Sequence, residues 1–520
     1  MTIQAKISTT DIDDVDSKSA LEVGIKELAS CAYSKQEEFV PSLSEKTRDV
    51  FRNRLSSAFS KVTKQHNNAE YLCDAVRSVK PTAVAMSDEI EAERKTALKA
   101  MAKLLKAANK SDDTSSNISM GLALLYATTL LQLYDGVPDA LNILQDLQAC
   151  SEKTKSKEAG ASEILVEILL SLVSRKSPMM RQISEQVFEA FTPQISSEAL
   201  KLLTEPLLAE ENSKGYQALF ETNDDEDAEM ADGAESDYSS NSGSDDEDGT
   251  SEIGSDVEFV TLNGVDATAD GDEDPVHDED NGEQNSGEEE DAELAALDDA
   301  LAKVLNSHRL DQDNDAESSG DESDMTDSEM MALDEKLVDV FKHRVKNTNR
   351  KNEKKDAKES VVLFKHRVLD LLHIYVKREA ANALAFGLIL PLLELVRTTS
   401  AKPLANKAMN ILTDFSKTSK KSRTKDTQFD TEALMKLLTD IHKEASKDMS
   451  HAFGKAASTG SLLVASSLWT ADQENADRIN ALYAHTFTDC QKGKIKIQGS
   501  FFSDWVNWGM GHANNTTAGE

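Results

Sequence analysis

The chain has 520 residues and carries 94 Asp+Glu against 57 Lys+Arg, a formal net charge of −37 at pH 7. The excess is local: Glu221 to Glu335 hold 43 acidic residues and two basic ones, Lys303 and Arg309, a net of −41, so the remainder is slightly basic at +4. Four cysteines (Cys31, Cys73, Cys150, Cys490) without a C-x-x-C pair exclude a disulfide scaffold or a cysteine zinc module and fit a reducing compartment.

The most apolar stretch, Ala383 to Val396, is shorter than the ~20 residues a membrane helix needs and contains Pro391 and Glu394. It reads as a buried helix pair. The N-terminus has no basic flank followed by an apolar core, so no secretory signal is expected. The reading is a soluble intracellular chain with no membrane partner.

Taken in chain order, Leu/Ala-rich text with few Gly and Pro breakers predicts helices. Asn117 to Ala149 carries the first clear helical text. From Ala161 three short helices follow. Ile164, Leu165, Ile168, Leu169 and Leu172 form an apolar stripe; Ser177 before Pro178 is an N-cap with proline at the first helical position, ahead of Ile183, Val187 and Phe191; Ser196 or Ser197 caps a third piece with Leu200, Leu203 and Leu207 inward. Short helices too apolar to stand alone are the text of stacked helical hairpins. The predicted fold is all-α, a HEAT- or armadillo-like solenoid with degenerate repeats of about 40–47 residues, preferred over a bundle because the length favours stacking over one core.

Residues 1–220 form the first helical region of this scheme. Residues 221–293 are an acidic belt with no regular apolar pattern, predicted to be disordered, whose insertion between repeats adds closure entropy only logarithmically. Residues 294–360 are helices with acidic and basic linkers: a helix resumes at Ala292, breaks over Leu310 to Asp324 and restarts at Thr326, where Thr-x-x-Glu reads as a capping box in preference to a phosphosite. Residues 361–490 form a C-terminal repeat region of six helices: Val361 to Lys377, Ala380 to Val396, Pro403 to Phe415, Asp430 to Glu444 with Asp430 as cap, Met449 to Leu468, and Asp472 to Thr488. Residues 491–520 are a flexible Gly/Asn-rich tail holding Trp505 and Trp508.

Several constellations bear on chemistry. Asp311, Asp313, Asp315 and Glu322 have calcium-loop spacing, but Ala316 stands where the sharp turn needs glycine, and in so acidic a segment chance spacing is the better reading. Ser242, Ser244, Ser255, Ser318 and Ser319 each have an acidic residue at +3, the pattern of an acid-directed kinase, and phosphorylation there would deepen the negative field. The pentapeptide FKHRV occurs at 341–345 and 364–368. Lys342, Arg344, Lys346, Arg350, Lys351, Lys354, Lys355 and Lys358 form one basic run, and Lys417, Lys420, Lys421, Arg423 and Lys425 form a second in a turn between helices. Such runs are nuclear import signals or phosphate-contacting patches, with a solvated linker as the bland alternative. His343 and His366 lack ligand-spaced partners and read as polar helix-face residues. No nucleotide-binding glycine loop and no rigidly held carboxylate set for two metals is present, so no catalytic constellation and no cofactor are predicted.

The segments ILVEILLSLVSRKSPMMRQISEQVFEAF (164–191) and LLTEPLLAEEN (202–212), the acidic insert, and residues 325–378 in that order resemble the DNA polymerase phi / Myb-binding protein family, with a weaker match at 42–59. The resemblance covers roughly residues 160–415. It implies a HEAT-like protein of the nucleus and nucleolus that associates with ribosomal DNA chromatin and supports ribosomal RNA synthesis and ribosome assembly. Members usually carry a longer helical region ahead of the matched part.

The combined reading is a non-enzymatic scaffold whose partners are ribosomal DNA or RNA, basic nuclear proteins such as histones and ribosomal proteins, and transcription or ribosome-assembly factors. The alternatives are an acidic chaperone of histones or ribosomal proteins and, from the family name alone, a DNA polymerase.

Overall fold

A computed structural model describes residues 15–35, 42–62, 69–109, 114–156, 159–220, 327–422 and 430–517, which contain no strand and form 17 α-helices. In the N-terminal part these are α1 (Val15–Tyr33), α2 (Glu45–Val62), α3 (Ala69–Ser78), α4 (Asp88–Ala108), α5 (Thr114–Tyr134), α6 (Ala140–Ser156), α7 (Ala161–Ser174), α8 (Pro178–Phe191), α9 (Ser197–Leu208) and α10 (Ser213–Phe220). After the acidic segment come α11 (Asp327–Arg378), α12 (Ile389–Thr398), α13 (Lys402–Ser422), α14 (Thr431–Ala445), α15 (His451–Ala471), α16 (Asn475–Gln491) and α17 (Gly499–Thr517). Two compact units result, residues 1–221 with 354–520, and residues 222–353. Of the second unit, only the stretch of α11 from Asp327 is described.

The all-α prediction holds, and the short helices stack as a helical-repeat array in which successive helices pack on each other: α4 on α5, α5 on α6, α6 on α7 and α7 on α8. Local sequence explains the breaks. Ser177 accepts a hydrogen bond from the Met180 amide with Pro178 at the first helical position, Ser196 accepts from the Ala199 amide, and Asp430 accepts from the Glu432 and Ala433 amides. Of the predicted stripes, Leu165, Ile168, Leu169, Leu172, Ile183, Val187, Phe191, Leu200, Leu203 and Leu207 are all buried, while Ile164 is partly buried against them.

Each half is built around one largely buried helix. Residues 121–134 of α5 are all buried, and α5 packs on α3, α4, α6 and α8. In the C-terminal half α15 packs on α12, α13, α14, α16 and α17. Small residues permit its close approaches: a Cβ on Gly460 would lie 3.0 Å from the Ile389 side chain, and one on Gly454 would lie 2.7 Å from Gln498. The array continues across the inserted acidic segment, because α9 packs directly on α12.

Four expectations need correction. The basic run 342–358, placed among helices broken by acidic and basic linkers, lies within α11, which runs unbroken over 52 residues. That stretch contains neither Gly nor Pro and is rich in Lys and Arg, both good helix formers. Lys417, Lys420 and Lys421, assigned to a turn, are in α13, which continues past Phe415 to Ser422 because Ser419 is still buried. The segment 380–396, expected as one helix, is a 3-10 segment, Ala383–Leu388, followed by α12, in keeping with the buried helix pair read over Ala383 to Val396; Asn382 accepts a hydrogen bond from the Leu384 amide and starts the tighter turn.

The tail from residue 491 is not flexible throughout, since α17 docks on α15. Phe501 and Phe502 are buried, Trp505 stacks on Tyr483 with centroids 4.9 Å apart, and the Trp508 indole donates to Ser466 Oγ at 2.8 Å. These aromatic anchors offset the poor helix propensity of Gly and Asn. The belt at 221–293, the Ala292 helix, the calcium-like spacing, Thr326 and the candidate phosphosites lie outside the described residues.

Candidate nucleic-acid interface

Basic residues of α11 and α13 divide into two populations. The first belongs to the second FKHRV copy, and every one of its five side chains is used in packing. Phe364 meets Phe220 edge-on at 5.3 Å, where the chain enters the acidic segment, and Val368 is fully buried. Lys365, only 2% exposed, lies 3.4 Å from Glu211. Glu211 also accepts from the backbone amide and hydroxyl of Ser400, both at 3.2 Å. Burial works against the Glu211 carboxylate, but hydrogen bonds from Thr399 and Ser400 and the Lys365 charge together hold it below the usual carboxylate range. Burial pushes the Lys365 ammonium down from its ordinary value, opposed by Glu211.

Arg367 closes the end of α7. Its Nη1 donates to the Val173 carbonyl at 2.7 Å and to the Arg175 carbonyl, groups left without intrahelical partners at a helix C-terminus. His366 is half-buried and receives the Lys407 ammonium, whose Nζ lies 2.8 Å from Nδ1 and 2.9 Å from the His366 carbonyl. Lys407 also donates to Asp370 at 2.5 Å, and Asp370 pairs with Arg181 of α8 at 3.0 Å. Burial and the neighbouring Lys407 charge lower the His366 pKa, which keeps Nδ1 free to accept. One turn further, His373 meets Asp414 of α13 at 3.0 Å and Arg378 pairs with Glu189 of α8. The polar helix-face reading of His366 thus becomes a polar joint between α8, α11 and α13.

The second population faces solvent. Lys354, Lys355 and Lys358 on α11, and Lys417, Lys420 and Lys421 on α13, are exposed. Lys417 has Asp414 within 3.9 Å, a weak surface pairing. Lys342, Arg344, Lys346, Arg350 and Lys351 stand on α11 with side chains outside the described residues, as does His343, and Arg423 and Lys425 lie outside the described residues altogether. The exposed lysines supply mobile point charges suited to phosphate contact. Among the described residues no group of three or more His, Cys, Asp or Glu is arranged to hold a metal ion, and no helix is long and apolar enough to cross a membrane.

The joint was not foreseen from the sequence. A local signal existed: Phe364, Val368, Leu371, Leu372 and Tyr375 mark a broad apolar face, and Lys365 falls inside it. Its partner Glu211 is 154 residues away in sequence, and only the fold brings the two together.

Residues 3–376 match the family model described as DNA polymerase phi. The chain belongs to that family. It is 29% identical over 427 residues to the rDNA transcriptional regulator POL5 of Saccharomyces cerevisiae, covering 75% of this chain and 40% of that relative. It is 30% identical over 212 residues to the rDNA transcriptional regulator pol5 of Schizosaccharomyces pombe, covering 35% and 22%. To human Myb-binding protein 1A it is 26% identical over 299 residues, covering 54% and 20%. The matched part therefore spans less than half the length of each of these relatives. No solved structure matches the chain.

Proposed function

We propose that this DNA polymerase phi family member is a non-enzymatic scaffold of the nucleus and nucleolus that supports transcription of ribosomal RNA genes and ribosome assembly. Two relatives carry the name rDNA transcriptional regulator, and a third is named for binding Myb. The observation that carries the mechanism is the sorting of charge. Lysines of the joint are committed to internal partners, while Lys354, Lys355, Lys358, Lys417, Lys420 and Lys421 are exposed, in a chain whose residues 221–335 carry a net of −41. In this reading the exposed lysines contact phosphates of ribosomal DNA or RNA. The acidic segment competes with nucleic acid for them and recruits basic nuclear proteins.

The test is binding of ribosomal DNA and RNA fragments by the full chain and by a chain lacking residues 221–293, across a salt series. Deletion is expected to tighten binding and steepen its salt dependence. An unchanged salt slope contradicts the competition. The charge of the segment also favours a second reading, an acidic chaperone of histones or ribosomal proteins. In that case a pull-down of basic proteins would be lost with the segment, while nucleic-acid binding would be unaffected.

A further inference from the structure

We infer that the outer face of α4 is a second phosphate-contacting track for a nucleic-acid strand, distinct from the lysines of α11 and α13. Lys95, Lys99, Lys103 and Lys106 are all exposed. At 100° per residue they fall within an arc of about 80°, and at 1.5 Å per residue they span about 16 Å with steps of about 6 Å or less. They lie opposite the buried side of the helix, where Ala97, Met101, Leu104, Leu105 and Ala108 meet the core. The acidic residues of α4, Asp88, Glu89, Glu91 and Glu93, are confined to its beginning, and none occurs from Arg94 to Ala108. Lys95 shares Glu91 with Arg94, at 3.4 Å and 2.7 Å. Among the described residues no carboxylate pairs with Lys99, Lys103 or Lys106.

A merely solvated helix face accounts poorly for this pattern. Like charges three and four residues apart destabilise a helix. The helix dipole favours a cation only in the last turn, which explains Lys106 and leaves Lys99 and Lys103 without a local reason. A straight row of evenly spaced cations is complementary to the evenly charged backbone of a nucleic acid, a contact that positions without reading sequence. An acidic protein partner is the other chemistry the face suits. Protein partners, however, anchor on buried aromatic or aliphatic groups, and none of the large exposed hydrophobic residues of the array lies on α4.

This inference rests on the nucleic-acid reading above, and the test separates the two. The full chain and its K99Q/K103Q/K106Q variant are titrated into labelled duplex DNA and single-stranded RNA of arbitrary sequence over a salt series, and both chains are melted. Glutamine has a helix propensity close to that of lysine, so the melting temperature should be equal or raised. The expected result is at least tenfold weaker binding at low salt and a log–log salt slope shallower by about 2 to 3.

Binding by wild type that is unchanged in the variant overturns the α4 track while leaving the α11 and α13 lysines in place. Failure of wild type to bind either probe overturns both. A variant that loses affinity only for a separate peptide of residues 221–293 overturns the track in favour of an acidic protein ligand.

Discussion

Lys355 and Lys365 stand on the same helix, less than three turns apart, and do opposite work. Lys355 projects into solvent, whereas Lys365 is 2% exposed and held beside Glu211 at 3.4 Å. The difference lies in the helical face each occupies. Around Lys365 the positions one turn away, Leu369 and Val361, are buried; around Lys355 the flanking Lys354 and Asp356 are exposed. A run of basic residues in a sequence is therefore not one functional unit. The same residue type serves as a clasp where an apolar face turns inward and is left to solvent where it turns outward.

The sharpest way to break this comparison is to remove the acid that makes a buried lysine tolerable. Glu211→Ala leaves the Lys365 ammonium buried without its partner and is expected to destabilise the chain by about 3–5 kcal/mol in chemical denaturation, whereas Glu211→Leu with Lys365→Met should be close to neutral. Equal, small effects in both would show that Lys365 is not held as described.

A second buried basic residue sharpens the contrast through pH. His442 donates and accepts within a closed set, with Nδ1 2.8 Å from Thr486 Oγ1 and Nε2 3.2 Å from Ser461 Oγ, and burial pushes its pKa down to about 4. The folded value is below that of the unfolded chain, so the unfolded state takes up the proton first. The contribution of neutral His442 is full above about pH 6.5, falls as pH drops toward 4 and amounts to about 3 kcal/mol. Denaturation curves over that range should lose this slope in His442→Gln.

Smaller effects follow at the helix ends and the surface. Ser177→Ala removes the cap of α8 and should lower stability by about 1 kcal/mol, read by denaturant midpoint. K354E/K355E/K358E should change stability by no more than about 0.5 kcal/mol, since none of these side chains is buried.

Much of the array was legible because its signals are local. Ser177–Pro178, Ser196 and Asp430 mark helix starts through a hydroxyl or carboxylate that can reach an amide two or three residues on, and the Leu200, Leu203, Leu207 spacing gives the inward face directly. The last helix was missed because Gly and Asn, poor helix formers, recur along it, while the aromatic spacing of Phe501, Trp505 and Trp508 acquires meaning only once α15 supplies Ser466 and α16 supplies Tyr483. The basic run at 342–358 was legible as charge but not as helix, because its helical state depends on the absence of breakers rather than on an amphipathic pattern. The joint was invisible for a different reason. Arg181, Asp370 and Lys407 belong to three helices, and the Arg181–Asp370 pair forms only when the two halves of the array meet.

The most direct measurement is the salt dependence of duplex DNA binding by the full chain, compared with K354E/K355E/K358E. If exposed lysines carry the phosphate contacts, the variant melts like wild type and its log–log slope is shallower by about 3. An unchanged slope in a chain that still binds would contradict the assignment of α11 as a nucleic-acid-contacting surface.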